Sequence, residues 1–206
     1  MKHFLGILLI FIAAGTIQAQ VRLGPKIGFN VVLPKFDNDV GITVPTKTDF
    51  NVGIFFSKDL SSGDKIQIEA NYYTKVDIEF VSSGSTIATM KDLGFISIPI
   101  QYGFKLGKTD FYLLAGVSVM FSIAWTDSSA KDLDPVTALI LPGEEETPGG
   151  SNGLGGKIGA EYYFSKLALG AYYEFSFFTP DPSYTVDDSR LLFSNVGLSL
   201  YYNIIK

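Results

Sequence analysis

The chain has 206 residues, is 47% hydrophobic and 14% aromatic, contains 21 Gly and no Cys, and carries a formal charge of -5. That length suits one domain or one barrel, and the acidic balance excludes the electrostatic footprint of a nucleic-acid partner. Lack of cysteine removes disulfides without deciding the compartment.

The first 19 residues read as a secretory leader: Lys2 precedes an apolar stretch from Phe4 to Ala14, and Thr16-Ile17-Gln18-Ala19 ends in a small residue suited to cleavage between Ala19 and Gln20. The competing reading, a transmembrane anchor, needs about 20 apolar residues. No Cys follows the cleavage site, so a lipid anchor there is not available. Loss of Lys2 with the leader takes the formal charge from -5 to -6. The mature unit is then residues 20–206. Charged, polar or Gly residues break every later apolar run, so a membrane-located mature chain must close as a barrel.

Eight segments follow with strict two-residue alternation, the mark of an extended strand with two unlike faces. Val21, Leu23, Ile27, Phe29 and Val31 oppose Arg22, Gly24, Lys26, Gly28 and Asn30, and Phe50, Val52, Ile54 and Phe56 oppose Asn51, Gly53 and Ser57. Over Lys65 to Phe80, Ile66, Ile68, Ala70, Tyr72, Val76, Ile78 and Phe80 oppose Lys65, Gln67, Glu69, Asn71, Tyr73, Lys75, Asp77 and Glu79. The same pattern covers Ile96–Leu106, Phe111–Trp125, Leu154–Phe164, Leu167–Phe175 and Asn195–Ile204. Tilted strands of about 9–11 residues cross a bilayer, so these segments have spanning length.

Short connections at Ser61–Asp64, Gly107–Asp110 and Ser165-Lys166 alternate with long ones at Leu33–Thr48, Val81 to about Asp92, Thr126–Asn152 and Phe177–Arg190. Short turns at one end and long loops at the other match the two ends of an outer-membrane barrel, with both mature termini in the periplasm. Aromatics fall in two bands on the apolar face. Phe56, Phe104, Phe111, Phe164 and Tyr202 lie beside the short turns, and Phe50, Phe80, Trp125 and Phe175 near the long loops. The pattern predicts an all-β, eight-stranded antiparallel up-and-down transmembrane β-barrel. A soluble lipocalin-like barrel, with the apolar face inward, is the alternative that alternation alone leaves open.

Phe95-Ile96-Ser97-Ile98-Pro99-Ile100-Gln101-Tyr102, followed by Phe111-Tyr112-Leu113-Leu114-Ala115-Gly116, resembles the core of the PorT-like outer-membrane β-barrel family of Gram-negative bacteria. Gly155–Tyr163 and Asn195–Tyr202 are similar too. The resemblance implies the eight-stranded fold and an outer-membrane location, and no activity. Such barrels commonly end on an aromatic residue, whereas this chain ends Ile204-Ile205-Lys206, with Tyr202 nearby.

His3, the only histidine, lies in the leader, so the mature chain has neither His nor Cys. That removes Ser-His-acid triads and imidazole or thiolate metal sites. The predicted interior face carries Arg22, Lys26, Lys65, Glu69, Lys75, Asp77, Glu79, Lys105, Lys157, Glu161 and Glu174. Two readings apply: a charge network that fills a narrow lumen and satisfies itself, or a carboxylate pair or ion path with a function. The alternation of both signs along Lys65–Glu79 favours the first. The 126–152 loop holds Asp132, Asp134, Glu144, Glu145 and Glu146 and the apolar run Val136–Leu141; consecutive Glu residues read as a solvated acidic loop rather than a calcium site, and the apolar run as a segment that docks an envelope protein partner or folds across the barrel mouth. The expected function is that of a non-enzymatic, cofactor-free barrel in outer-membrane lipid, structural or accessory to a secretion or assembly complex. A small-solute channel and a carboxylate-dependent enzyme are the alternatives.

Overall fold

The computed structural model describes residues 20–36, 41–128, 152–176, 185–186 and 189–205. The leader with Ala19, residues 129–151 of the acidic loop and most of the 177–190 loop lie outside them. Strands β1 (Val21–Phe36), β2 (Lys47–Asp59), β3 (Lys65–Ser82), β4 (Ser85–Lys105), β5 (Phe111–Ser128), β6 (Asn152–Phe164), β7 (Leu167–Ser176), β8 (Thr185–Val186) and β9 (Ser189–Tyr202) follow in chain order. Each of β1 to β6 pairs antiparallel with the next, β7 pairs with β9, and β9 pairs back onto β1 from Lys26↔Tyr201 to Phe36↔Leu191. This closes an eight-stranded barrel, and the two-residue β8 only pairs antiparallel with the start of β9. Closure leaves no unpaired edge, the condition for crossing lipid with strands.

The two faces separate by polarity. Phe50, Ile54 and Leu198 are 62%, 61% and 64% exposed on the outer wall, while Lys65, Gln67 and Glu174 are 0% exposed inside. The soluble alternative requires the reverse, so the outer face meets lipid.

The lumen accepts long side chains because glycine often stands beside them. A Cβ on Gly103 would lie 2.7 Å from the Lys65 stem, and one on Gly197 would lie 2.6 Å from the Tyr172 ring. At these approaches a Cβ would force the Lys65 stem or the Tyr172 ring to move. A lower apolar cluster of Phe55, Tyr112, Leu114, Tyr163, Ala168 and Tyr201 packs the lumen toward the short turns.

Two expectations are corrected. The 81–92 connection is not a long loop: β3 and β4 continue to a tight turn in which Ser83 (φ 51°) and Gly84 (φ 79°) both take positive φ. That conformation matches strand twist in two-residue hairpins. The alternation of β3 also does not run unbroken to Phe80. Register shifts between Tyr73 and Val76 and between Val76 and Ile78 invert its faces, so Tyr73 points inward and so do Ile78 and Phe80. Phe80 is 2% exposed and therefore not in a lipid-facing girdle; it packs with Ile78 and Val44 against Phe36, Ile42, Ile87, Phe95 and Phe193.

Candidate functional site: the ion-paired lumen

The interior is built in tiers. At the turn end, Arg22 donates through both Nη atoms to Asp59, at 2.6 and 2.7 Å, and its guanidinium lies 4.6 Å from the Tyr163 ring centre. Lys105, half-buried at this mouth, is 3.5 Å from the Asp110 carboxylate and 5.7 Å from the Tyr112 ring. Deeper, the Lys65 ammonium donates to Glu161, to Gln67 Oε1 at 2.6 Å and to the Tyr163 hydroxyl at 2.8 Å. Gln67 Nε2 donates to Glu161 at 2.7 Å and to Glu69 at 2.8 Å, linking this tier to the next.

Glu69 is the hub. Its Oε2 accepts from Lys26 at 2.7 Å, Lys157 at 2.6 Å and Asn71 Nδ2 at 2.9 Å, while Oε1 accepts from Gln67 and from the Tyr201 hydroxyl at 3.2 Å. These donors come from β1, β3, β6 and β9, so the carboxylate ties opposite walls together. Above it, Asn51 Nδ2 donates to Asn30 Oδ1 at 3.0 Å and to the Tyr172 hydroxyl at 2.9 Å. Glu174 accepts from Tyr73 at 2.5 Å, from Ser118 at 2.5 Å and from Ser97.

Lys26, Lys65 and Lys157 thus share the buried interior with an equal number of carboxylates, Glu69, Glu161 and Glu174. Isolated charges in low dielectric cost several kcal/mol each, about as much as one good pair returns, so only a network satisfied on every side is stable there. Such an arrangement can hold walls in register.

The structure brings together Arg22, Lys26, Lys65, Glu69, Lys157, Glu161 and Glu174, and places Lys105 at the mouth. It does not bring in Asp77, which is exposed beyond the inversion in β3, or Glu79, which pairs with Lys47 at 2.6 Å outside the network. The side chain of Lys75 lies outside the described part. Of the aromatic bands, Phe104, Phe164 and Tyr202 are exposed at the turn end and Phe56 and Phe111 half-buried. Toward the loops, Phe50 packs edge-on against Phe29 at 5.3 Å and Phe175 stacks on Tyr173 at 5.4 Å; the side chain of Trp125 is not described.

Sequence reasoning missed Asp59 as the partner of Arg22 and Lys47 as that of Glu79, since neither charge sits in a repeating pattern. It also missed Asp64, whose carboxylate accepts from the exposed Tyr102 hydroxyl at 2.5 Å and from the Lys105 N–H at 3.0 Å. Those two donors, the Tyr102 hydroxyl first, hold the Asp64 carboxyl below its ordinary range.

A closed antiparallel wall with an apolar exterior and a self-neutralising polar interior defines a transmembrane β-barrel protein, one whose visible machinery is a filled lumen. The chain belongs to the outer membrane protein beta-barrel domain family, whose model matches residues 4–203, which locates it in the Gram-negative outer membrane. Among solved structures it is similar to Neisserial surface protein A, with 13% identity, TM-score 0.53 and coverage of 91% of this chain and 100% of that one. It is also similar to Ail, the attachment invasion locus protein of Yersinia pestis in complex with the heparin analogue sucrose octasulfate, with 14% identity, TM-score 0.50 and coverage of 90% and 99%. At these identities the likeness is one of fold. No curated protein matches the chain in sequence.

Proposed function

We propose that this protein is a non-enzymatic, PorT-like accessory barrel of the outer membrane that works through its loop end rather than through its lumen. The observation that carries the reading is the Glu69 hub: charges from β1, β3 and β6 meet across the interior and occupy one another, leaving the surface as the place for a partner. In this reading the leader is removed between Ala19 and Gln20, both termini face the periplasm, and the 126–152 loop docks an envelope protein of a secretion or assembly complex. Photo-crosslinking from positions within 126–152 in intact cells, followed by identification of the captured protein, tests it. Capture of the same envelope component from several loop positions supports the proposal. Capture of nothing, together with an unchanged envelope on deletion of the protein, overturns it.

A further inference from the structure

The wall of the barrel is closed by β1 against β9, the two most distant strands in the chain, and this seam carries a defect at its short-turn end. Regular pairing stops at Lys26↔Tyr201 and returns only as a bridge at Leu23↔Ile205, so three steps along β1 are matched by four on the other side. One extra residue on one side of a ladder is a bulge. Backbone direction adds a second loss. The Gln20 carbonyl accepts from Asp59 on β2, whereas the Leu23 carbonyl accepts from Ile204 just past β9. By alternation Pro25 therefore turns toward β9, with a nitrogen that has no hydrogen to donate. Beside it a Cβ on Gly24 would stand 1.6 Å from the Tyr202 carbonyl oxygen, a backbone approach that glycine permits. At the same end of the barrel the β2–β3 ladder runs in register to Asp59↔Lys65.

Asn203, Ile204 and Ile205 span the defect. The Asn203 N–H and Nδ2 both donate to the Lys166 carbonyl in the β6–β7 turn, at 2.7 and 3.1 Å. The Ile204 and Ile205 N–H groups donate to the Leu23 carbonyl, at 2.8 and 3.4 Å. Asn203 is buried, while Ile204 and Ile205 are exposed beside Leu23. The segment is thus fixed at one end to the β6–β7 hairpin and at the other, across the seam, to β1.

We propose that Asn203–Ile205 act as a strap that holds the β1–β9 seam shut, and that the wall opens first at the short-turn end of this seam. From Lys26↔Tyr201 to Phe36↔Leu191 the ladder is continuous, so an opening that starts at the defect must release the strap from Leu23 before it reaches regular pairing. Local opening begins where backbone pairing is sparsest.

Hydrogen exchange of the folded barrel in lipid vesicles tests this, read over Val21–Asn30 and, for comparison, over the β2–β3 hairpin. Ile204→Pro removes the N–H that reaches Leu23, and Ile204→Ala keeps it. Ile204→Pro should speed exchange over Val21–Asn30 about fivefold, the effect of one backbone bond, and leave the hairpin unchanged. Ile204→Ala should change neither. Because the chain has no cysteine, a cross-link can be placed without background substitutions. Leu23→Cys with Ile205→Cys, once oxidised, should raise the temperature at which the heat-resistant form is lost on gels. Phe56→Cys with Ile68→Cys, a β2–β3 rung, serves as the control and should give no such gain. This second experiment decides the matter if Ile204→Pro does not fold. Exchange over Val21–Asn30 that stays at the parent rate, rises as much in the hairpin, or rises as much with Ile204→Ala overturns the proposal, as does a seam cross-link that gains no more than the control.

Discussion

Replacing Glu69 with Gln tests whether the lumen network holds the barrel together. The substitution keeps the size of the side chain but removes the anion that Lys26 and Lys157 share at 2.7 and 2.6 Å, leaving two ammoniums that are 0–1% exposed without it. Breaking a buried pair by removing one partner costs about 3–5 kcal/mol, a large part of the roughly 5–15 kcal/mol by which folded domains are stable. With a urea dependence of about 2 kcal/mol per M, the unfolding midpoint should fall by about 2 M. Fluorescence of the single Trp125 during urea titration in lipid vesicles reads it directly. Adding Lys26→Met to Glu69→Gln restores equal numbers of buried lysines and glutamates. The double variant should therefore recover part of the loss, with a coupling of at least about 0.5 kcal/mol. A Glu69→Gln midpoint within about 0.5 kcal/mol of the parent, the ordinary range of surface substitutions, would refute the structural role of the network.

Phe80→Ala should cost about 3–5 kcal/mol in the same titration, as for a buried aromatic, whereas Phe50→Ala on the lipid face should cost less than half as much; equal losses would return Phe80 to the girdle. Gly24→Ala would put a Cβ 1.6 Å from the Tyr202 carbonyl oxygen, a backbone atom at the β1–β9 seam. A loss of about 3 kcal/mol is expected, at the top of the overpacking range, seen as a smaller heat-resistant fraction on gels. The Asp64 carboxyl is held below its ordinary range by the Tyr102 hydroxyl and the Lys105 N–H. Its contribution is therefore present above the unfolded pKa of about 3.9 and is lost as pH falls through the lower folded value. Hydrogen exchange of the Lys105 amide, corrected for intrinsic rate, should lose protection over that acidic window, and Asp64→Asn should abolish the pH dependence.

How much of this was legible in the sequence depends on which side chains carry information. Alternation gave the barrel, its closure and the inward direction of Lys26, Lys65, Glu69, Lys157, Glu161 and Glu174, because a charged residue tolerates only one of the two faces. Who pairs with whom was not legible: Lys65 and Glu161 are 96 residues apart and meet across the lumen, where no local spacing constrains them. The Ser83-Gly84 turn does carry a signal, a small polar pair between β-forming runs, but the polar residues on either side of it read equally well as a longer loop. Asp77 and Glu79 were misplaced by carrying the parity of Lys65–Tyr73 through a bulge.

That bulge is why the inward turn of Ile78 and Phe80 is not legible in the sequence. The β2–β3 ladder ends at Asn51↔Tyr73 and a bridge reappears at Thr43↔Val81 with the same offset, so the two strands return to step after eight residues each. In between, both switch faces: Asp49 and Asn51 are buried on β2, then Val44; Tyr73 is buried on β3, then Ile78 and Phe80. One inversion alone would leave the strands out of register, whereas a matched pair cancels. Side chains span the interval, with Thr74 on Asp49 and Lys47 on Glu79. An apolar residue suits lipid and a dry interior equally well, so the run Val76, Ile78, Phe80 reads as an outer face at either parity. Only the polar neighbours could reveal the switch, and beyond Tyr73 Lys75, Asp77 and Glu79 keep the parity of an inner face. The apolar loop-side layer of Val44, Ile78 and Phe80 is therefore written in residues whose sequence pattern is degenerate between the membrane and the core.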